Sequence, residues 1–399
     1  MIHQLRQQFN AAFTKEKYKA FLEDLHKGYP GAIEFRVAET PVFVSRPFAE
    51  KLYDACESII DLICSDQFKG LTNRAIPPSE MVPNENGHCH MIAFDFGVCT
   101  NESGELEPQL IEMQGFPSLF GFQVYYPEVM RRHFSIPDSF TQYLGHYDRD
   151  TYIKDLKEVI LGKHQAENVI LLEIKPHEQK TRIDFYCTRE YVGIHPVCIT
   201  ELIQEGKKLF YIHPETKLKT AVHRIYNRVI FDDLKANKES LGNYVDITQD
   251  LDVEWVPHPN WFNRISKFTL PFIKHPYVPA TYFLNEIKQI PSDLENYVLK
   301  PLFSFAGQGV VIDVTPQDIE EVRDPENWIL QKKVQYAEVI DTPDIPAKAE
   351  LRLMYLWKEE WHRPKPAINL ARLSKGKMIG VRYNKDKEWV GGSTGLFEH

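Results

Sequence analysis

Cysteine is scarce in this chain, with only Cys56, Cys64, Cys89, Cys99, Cys187 and Cys198 among 399 residues. So few thiols, spread so widely, do not make the disulfide framework of a small secreted domain. Cys56 and Cys64 fall on one expected helix about two turns apart, too far to bridge. Long apolar runs are missing too: none approaches the roughly 20 residues that span a bilayer. The opening stretch MIHQLRQQFNAAF is polar and lacks the apolar centre of a signal peptide. A reducing cytoplasm, away from any membrane, is the expected location. Positive charge is not in excess either, since 47 Lys and Arg stand against 56 Asp and Glu, a net charge of -9. Nucleic-acid backbones recruit clustered Lys and Arg, so no nucleic-acid partner is expected. There is no internal repeat and no low-complexity segment.

What remains is globular material, with 43% hydrophobic, 12% aromatic and 26% charged residues. That is enough for a large core and for two or three domains. Ser45 reads as the N-cap of a helix over about 46–65, with Phe48, Leu52, Ile59, Leu62 and Ile63 on one side. Two strands follow, Met91–Val98 and Gln109–Met113, joined across the turn-rich stretch 100–107. The polar stretch 131–152 marks a boundary. Beyond it, Asn168–Ile174 is a near-continuous apolar run of the kind covered on both faces of a parallel sheet. Val192–Thr200, Leu209–His213 and Val222–Phe231 extend it into an open α/β layer, with a small hairpin around 214–217. The expected organisation is an N-terminal region over 1–150, an α/β substrate domain over 151–257, and an α+β nucleotide-binding unit over 258–399.

The last unit carries the clearest chemical signal. Tyr297–Leu299 reads as a strand ending in Lys300-Pro301, followed by Ser304-Phe305-Ala306-Gly307-Gln308-Gly309 and a second strand over Val310–Val314. Glycines between strands let backbone N–H groups approach a triphosphate, and a lysine leaving the strand adds positive charge. The loop has no Gly-Lys-Ser/Thr ending and opens no helix, so it is not a Walker A motif. Upstream lie Lys267 and the run Tyr277-Val278-Pro279-Ala280-Thr281; downstream lie Trp328-Ile329-Leu330-Gln331-Lys332-Lys333-Val334 and Glu350-Leu351-Arg352-Leu353. This ordered set resembles the ATP-grasp fold over most of 260–399. The resemblance implies that Lys267, Lys300, Ser304, Ala306, Gly307, Gln308 and Gly309 hold the ATP phosphates. It also implies that Gln331 and the backbone of Lys332 to Val334 border adenine.

The usual Glu-x-Asn metal motif does not follow that loop. A related Glu112-Met113-Gln114 lies far upstream, after Asp95 in Ala93-Phe94-Asp95. That order resembles the circularly permuted ATP-grasp ligases, of which eukaryotic glutathione synthetase and glutathionylspermidine synthase are members. An antiparallel hairpin placing Asp95 opposite Glu112 centres its turn on Ser103-Gly104, a turn dipeptide. Glu112 and Gln114 then share one face. Three oxygen donors, Asp95, Glu112 and Gln114, suit Mg²⁺, a hard cation that also uses substrate phosphates. Pro108 cannot donate to the ladder, so a register break is expected near the turn. Three departures from the family stand out: Gln114 in place of Asn, Ala93 in place of an arginine, and no glutamate in Ser304–Gly309.

Other segments are read more plainly. His88-Cys89-His90 precedes a strand and has no second pair at zinc spacing, so it is taken as strand residues. Ile225-Tyr226-Asn227-Arg228 resembles the strand end before ATP-grasp domains, which implies that Arg228 faces the substrate. Gly391-Gly392-Ser393-Thr394-Gly395 reads as a loop, for which the resemblance implies a lid. The whole implies an inserted open α/β domain in a circularly permuted ATP-grasp fold. The expected activity is ATP- and Mg²⁺-dependent ligation of a small-molecule carboxylate to an amine through an acyl phosphate. Arg352 and Arg228 would face the reacting charges. The alternative is a non-catalytic nucleotide-binding protein.

Overall fold

The computed structural model describes residues 1–303, 309–376, 379, 384 and 386–399. The helix expected near 46–65 runs from Arg46 to Ile63. Pro47 sits in its first turn, where the ring forfeits no helical hydrogen bond. The Ser45 backbone is extended, but its side chain makes no capping bond. Phe48, Leu52, Ile59 and Ile63 recur at helical spacing and are buried against the largest core cluster.

That cluster lies under a six-stranded antiparallel sheet. Its strand order is Gly391–Ser393, Lys365–Ser374, Ala347–Leu356, Met91–Thr100 and Leu106–Gln114, with Glu338–Ile340 also paired to Ala347–Leu356. The central strands thus come from distant parts of the chain. Met91–Thr100 pairs with Ala347–Leu356 so that Asp95 faces Arg352 and Gly97 faces Glu350. Because strand side chains alternate, Phe94 and Phe96 enter the core cluster while Asp95 points to the other face.

The hairpin between Met91–Thr100 and Leu106–Gln114 pairs Asp95 with Glu112, and its turn has Asn101 Oδ1 accepting from the N–H groups of Ser103 and Glu105. The register does slip, but at Ile111 rather than near Pro108. Asp95 faces Glu112 while Phe96 faces Leu110, so one residue bulges beside the acid. Pro108 pairs with Val98 without a slip.

A second sheet is parallel, in the order Glu254–Val256, Arg224–Asn227, Val169–Glu173 and His195–Cys198. Val169–Glu173 is buried along its whole length, as expected of a strand covered on both faces. Leu209–His213 was expected in this layer, and the strand found at that point of the chain is Lys208–Ile212. It instead forms a separate antiparallel sheet with Ile203–Glu205 and Lys219–Val222, joined through the expected hairpin at 214–217. Two more three-stranded sheets complete the molecule. Trp328–Lys332 lies between Thr281–Phe283 and Tyr297–Pro301, and Gly395–Glu398 lies between Val42–Val44 and Phe140–Thr141. The expected strand 310–314 reduces to one antiparallel bridge between Leu299 and Val311. Among the described residues, no helix is long and apolar enough to cross a membrane.

Candidate active site

Two lysines from different elements meet beside the hairpin. Lys300 leaves the strand Tyr297–Pro301, and its Nζ donates to Gln331 Oε1 at 2.5 Å. Gln331 Nε2 donates in turn to Thr281 Oγ1 at 3.1 Å, across the strand pair Thr281–Gln331. Lys267 begins a short 3₁₀ turn at Ser266, whose hydroxyl accepts from the Phe268 N–H, and its Nζ donates to the Pro301 carbonyl at 2.6 Å. Burial lowers both ammonium groups from the usual lysine range; Lys300 lowers Lys267 further, to about 8, while Glu112 opposes the shift. In the free protein this burial penalises charged Lys267. The penalty is present at neutral pH and is relieved as the pH rises from about 8 towards the unfolded value. A bound phosphate needs the protonated form. Affinity for a nucleotide is therefore expected to fall as the pH passes through about 8. Titration calorimetry between neutral and alkaline pH checks this, and a flat profile that Lys267→Met leaves unchanged would rule Lys267 out.

Sheet register brings the acids and arginines together. Arg352 Nε donates to Asp95 Oδ1 at 2.5 Å and its Nη2 to Oδ2 at 2.6 Å, a bidentate pair. Arg372, on the next strand, donates to Asp95 Oδ2 at 2.8 Å and also to Glu350, which stands opposite it in the register. Tyr336 donates to Glu350 Oε2 at 3.3 Å. A methyl group on Gly97 would lie 2.7 Å from the Tyr336 ring, so this close approach requires glycine. Glu112 lies beside this network, 3.9 Å from Arg352 Nη2, and accepts from Gln114 Nε2 at 2.8 Å.

Asp95 is fully buried. Burial alone would raise its pKa, but Arg352 and Arg372 outweigh that and hold it below the usual carboxylate range. Glu350 goes the other way: burial raises it by more than Arg372 lowers it. Arg372, Glu350 and Tyr336 were not foreseen as site residues. The signal available was the alternation Glu350-x-Arg352 opposite Arg372, legible only once the strand pairing is known.

The donor set does not fit the expected Mg²⁺ site. Both Asp95 oxygens accept from guanidinium groups, and an added cation would face Arg352, Arg372 and the two lysines. Glu350 is likewise bonded by Arg372, which leaves Glu112 and the Gln114 carbonyl, one carboxylate and one neutral oxygen. Among the described residues, no group of three or more His, Cys, Asp or Glu side chains has metal-binding geometry. Arg352 likewise departs from the expected role at the reacting charges, because its fork is committed to Asp95.

The other expected positions are dispersed. Ser304, Ala306, Gly307 and Gln308 lie outside the described residues. Gly309 has a φ of 70°, and a methyl group there would press on the Pro301 ring at 3.0 Å. Gln331 is buried and joins Lys300 to Thr281 rather than offering its amide to a base. The Lys332 N–H donates to Ala280 O at 2.9 Å, and Val334 is half-buried beyond the strand end. Arg228 lies at the carboxyl end of the parallel strand Arg224–Asn227, where open α/β sheets bind ligands. Its Nη1 donates to the carbonyls of Phe116 at 3.3 Å and Pro117 at 2.8 Å, and its guanidinium lies 4.3 Å from the Phe116 ring centre. Its Nε is buried with no hydrogen-bond partner among the described residues. His90 sits 2.7 Å from Glu359, and His88 stacks on Trp357, as structural residues do. Gly391–Gly395 is neither lid nor loose tail, since it supplies strand residues to two sheets.

No family model matches the chain, and no curated protein matches its sequence. Among solved structures it is similar to a glutathione synthetase-like effector from Globodera pallida in its apo form. The TM-score is 0.59, the sequence identity is 11%, and 96% of each chain is covered. At that identity the likeness shows the fold: a mixed α/β, glutathione synthetase-like fold.

Proposed function

We propose that this chain binds ATP at Lys267 and Lys300 and acts as a ligase of the circularly permuted ATP-grasp kind, joining a small carboxylate to an amine. The carrying observation is the pair of lysines, each pushed below its usual range by burial and converging beside Glu112. Two ammonium groups held together in a partly dry site repel one another, and a polyphosphate relieves that repulsion. The order of Asp95, Glu112 and Lys300 along the chain supports the permuted arrangement. In the reaction a substrate carboxylate attacks the γ-phosphate, giving an acyl phosphate and ADP. An amine then displaces phosphate and forms the amide. The residues of this chain contribute by positioning and by neutralising charge.

Arg228 is the group best placed to receive the substrate carboxylate, because its buried Nε still lacks an acceptor. Arg228→Met is expected to raise the substrate concentration for half-maximal ADP release by roughly tenfold to a hundredfold, the range for a charge-assisted hydrogen bond. Nucleotide affinity should stay the same. The assay is ADP release with ATP and mixed pools of carboxylates and amines; an unchanged substrate dependence would remove Arg228 from the site. A second reading, a nucleotide-binding protein without turnover, is favoured by the engagement of Asp95 by two arginines. Persistent ATP binding with no ADP release from any pool selects it.

A further inference from the structure

Resting on the nucleotide reading above, we propose that the site takes the polyphosphate as the free anion, without a divalent cation, because Arg352 and Arg372 occupy the acid such a cation would need and tip the site's charge to positive. The register carries the argument. Asp95 lies between Glu112 on one neighbouring strand and Arg352 on the other, and Glu350 faces Arg372 one strand further on. All project from one sheet face, because Asp95, Glu112, Glu350, Arg352 and Arg372 occupy matching positions of the two-residue strand repeat. The acids are thus interleaved with guanidinium groups instead of forming an open carboxylate cluster.

The charge balance follows from that interleaving. Asp95, Glu112 and Glu350 against Lys267 and Lys300 alone would leave the site negative, and a polyphosphate would need a divalent cation to enter. With Arg352 and Arg372 added, four cationic side chains face three carboxyl groups. Burial also raises the proton affinity of Glu350, which shifts the balance further towards positive. Both Asp95 oxygens lie within 2.8 Å of guanidinium nitrogens. A cation that took Asp95 as a ligand would have to break those charge-assisted bonds and leave two arginines exposed to its own charge. Arg372 is only partly covered, its side chain 36% exposed, and its buried Nε has no hydrogen-bond partner among the described residues.

The test is isothermal titration calorimetry of the whole chain with a non-hydrolysable ATP analogue, once in EDTA and once in excess Mg²⁺. The expected result is that Mg²⁺ changes the dissociation constant by less than about tenfold, one decade of affinity. A tightening by more than about tenfold in Mg²⁺ overturns the inference and leaves the nucleotide reading intact. Absence of binding under both conditions overturns both. Arg372→Gln, which keeps hydrogen-bonding groups and removes the charge, is expected to weaken binding to a similar degree in EDTA and in Mg²⁺. Unchanged affinity in both buffers would overturn the assignment to Arg372.

Discussion

Lys300→Ala is expected to weaken ATP binding by roughly tenfold to a hundredfold, the loss of one charge-assisted contact to phosphate. The change should spare the fold. The Lys300 ammonium is held below its usual range by burial, so its charge is a burden on the free protein rather than a support. Its one described hydrogen bond, to Gln331, leaves behind an amide still anchored through Nε2 to Thr281. Lys300→Ala therefore separates binding from stability. Nucleotide titration should show the loss, and thermal unfolding of the free protein should be nearly unmoved. Unaltered affinity would falsify the placement of the phosphates.

The opposite separation is expected at Asp95. Asp95→Ala removes the acid that two guanidinium groups share, leaving Arg352 largely buried with only Glu112, 3.9 Å away, as a counter-charge. Breaking a buried ion pair from one side costs about 3–5 kcal/mol, large against the roughly 5–15 kcal/mol by which ordinary domains are stable. Urea unfolding followed by circular dichroism should show the midpoint falling accordingly. Replacing both partners, as Asp95→Leu with Arg352→Met, should be less damaging than Asp95→Leu alone, because no buried charge is stranded. If the single substitution proves as mild as the double, Asp95 is not the centre of the network.

Some of the site was legible from residue order. Asp95 opposite Glu112 followed from the turn residues Ser103-Gly104 and strand alternation, and the structure has that pairing. The exact place of the register slip was not legible. Pro108 was the evident suspect because it lacks an N–H, yet it pairs regularly with Val98, and Ile111 bulges instead. The likeness in fold to a glutathione synthetase-like protein agrees with the mixed α/β character read from hydrophobic patterning. The glycine run Gly391–Gly395 misled, because composition indicates a loop while sheet edges can still recruit such residues.

Local sequence determined the elements themselves. The amphipathic helix over Arg46–Ile63, the fully apolar strand over Val169–Glu173 and the acidic hairpin each depend on patterns within about 20 residues, short enough to be read along the chain. Only the tertiary structure decided what surrounds Asp95. Arg352 lies 257 positions away along the chain and Arg372 lies 277 away. Their meeting depends on which strands join the six-stranded sheet and in what register. A shift of one residue would send each side chain to the opposite face. Asp95 in isolation reads as an open ligand for a cation. Strand pairing made it instead the acid that neutralises two arginines.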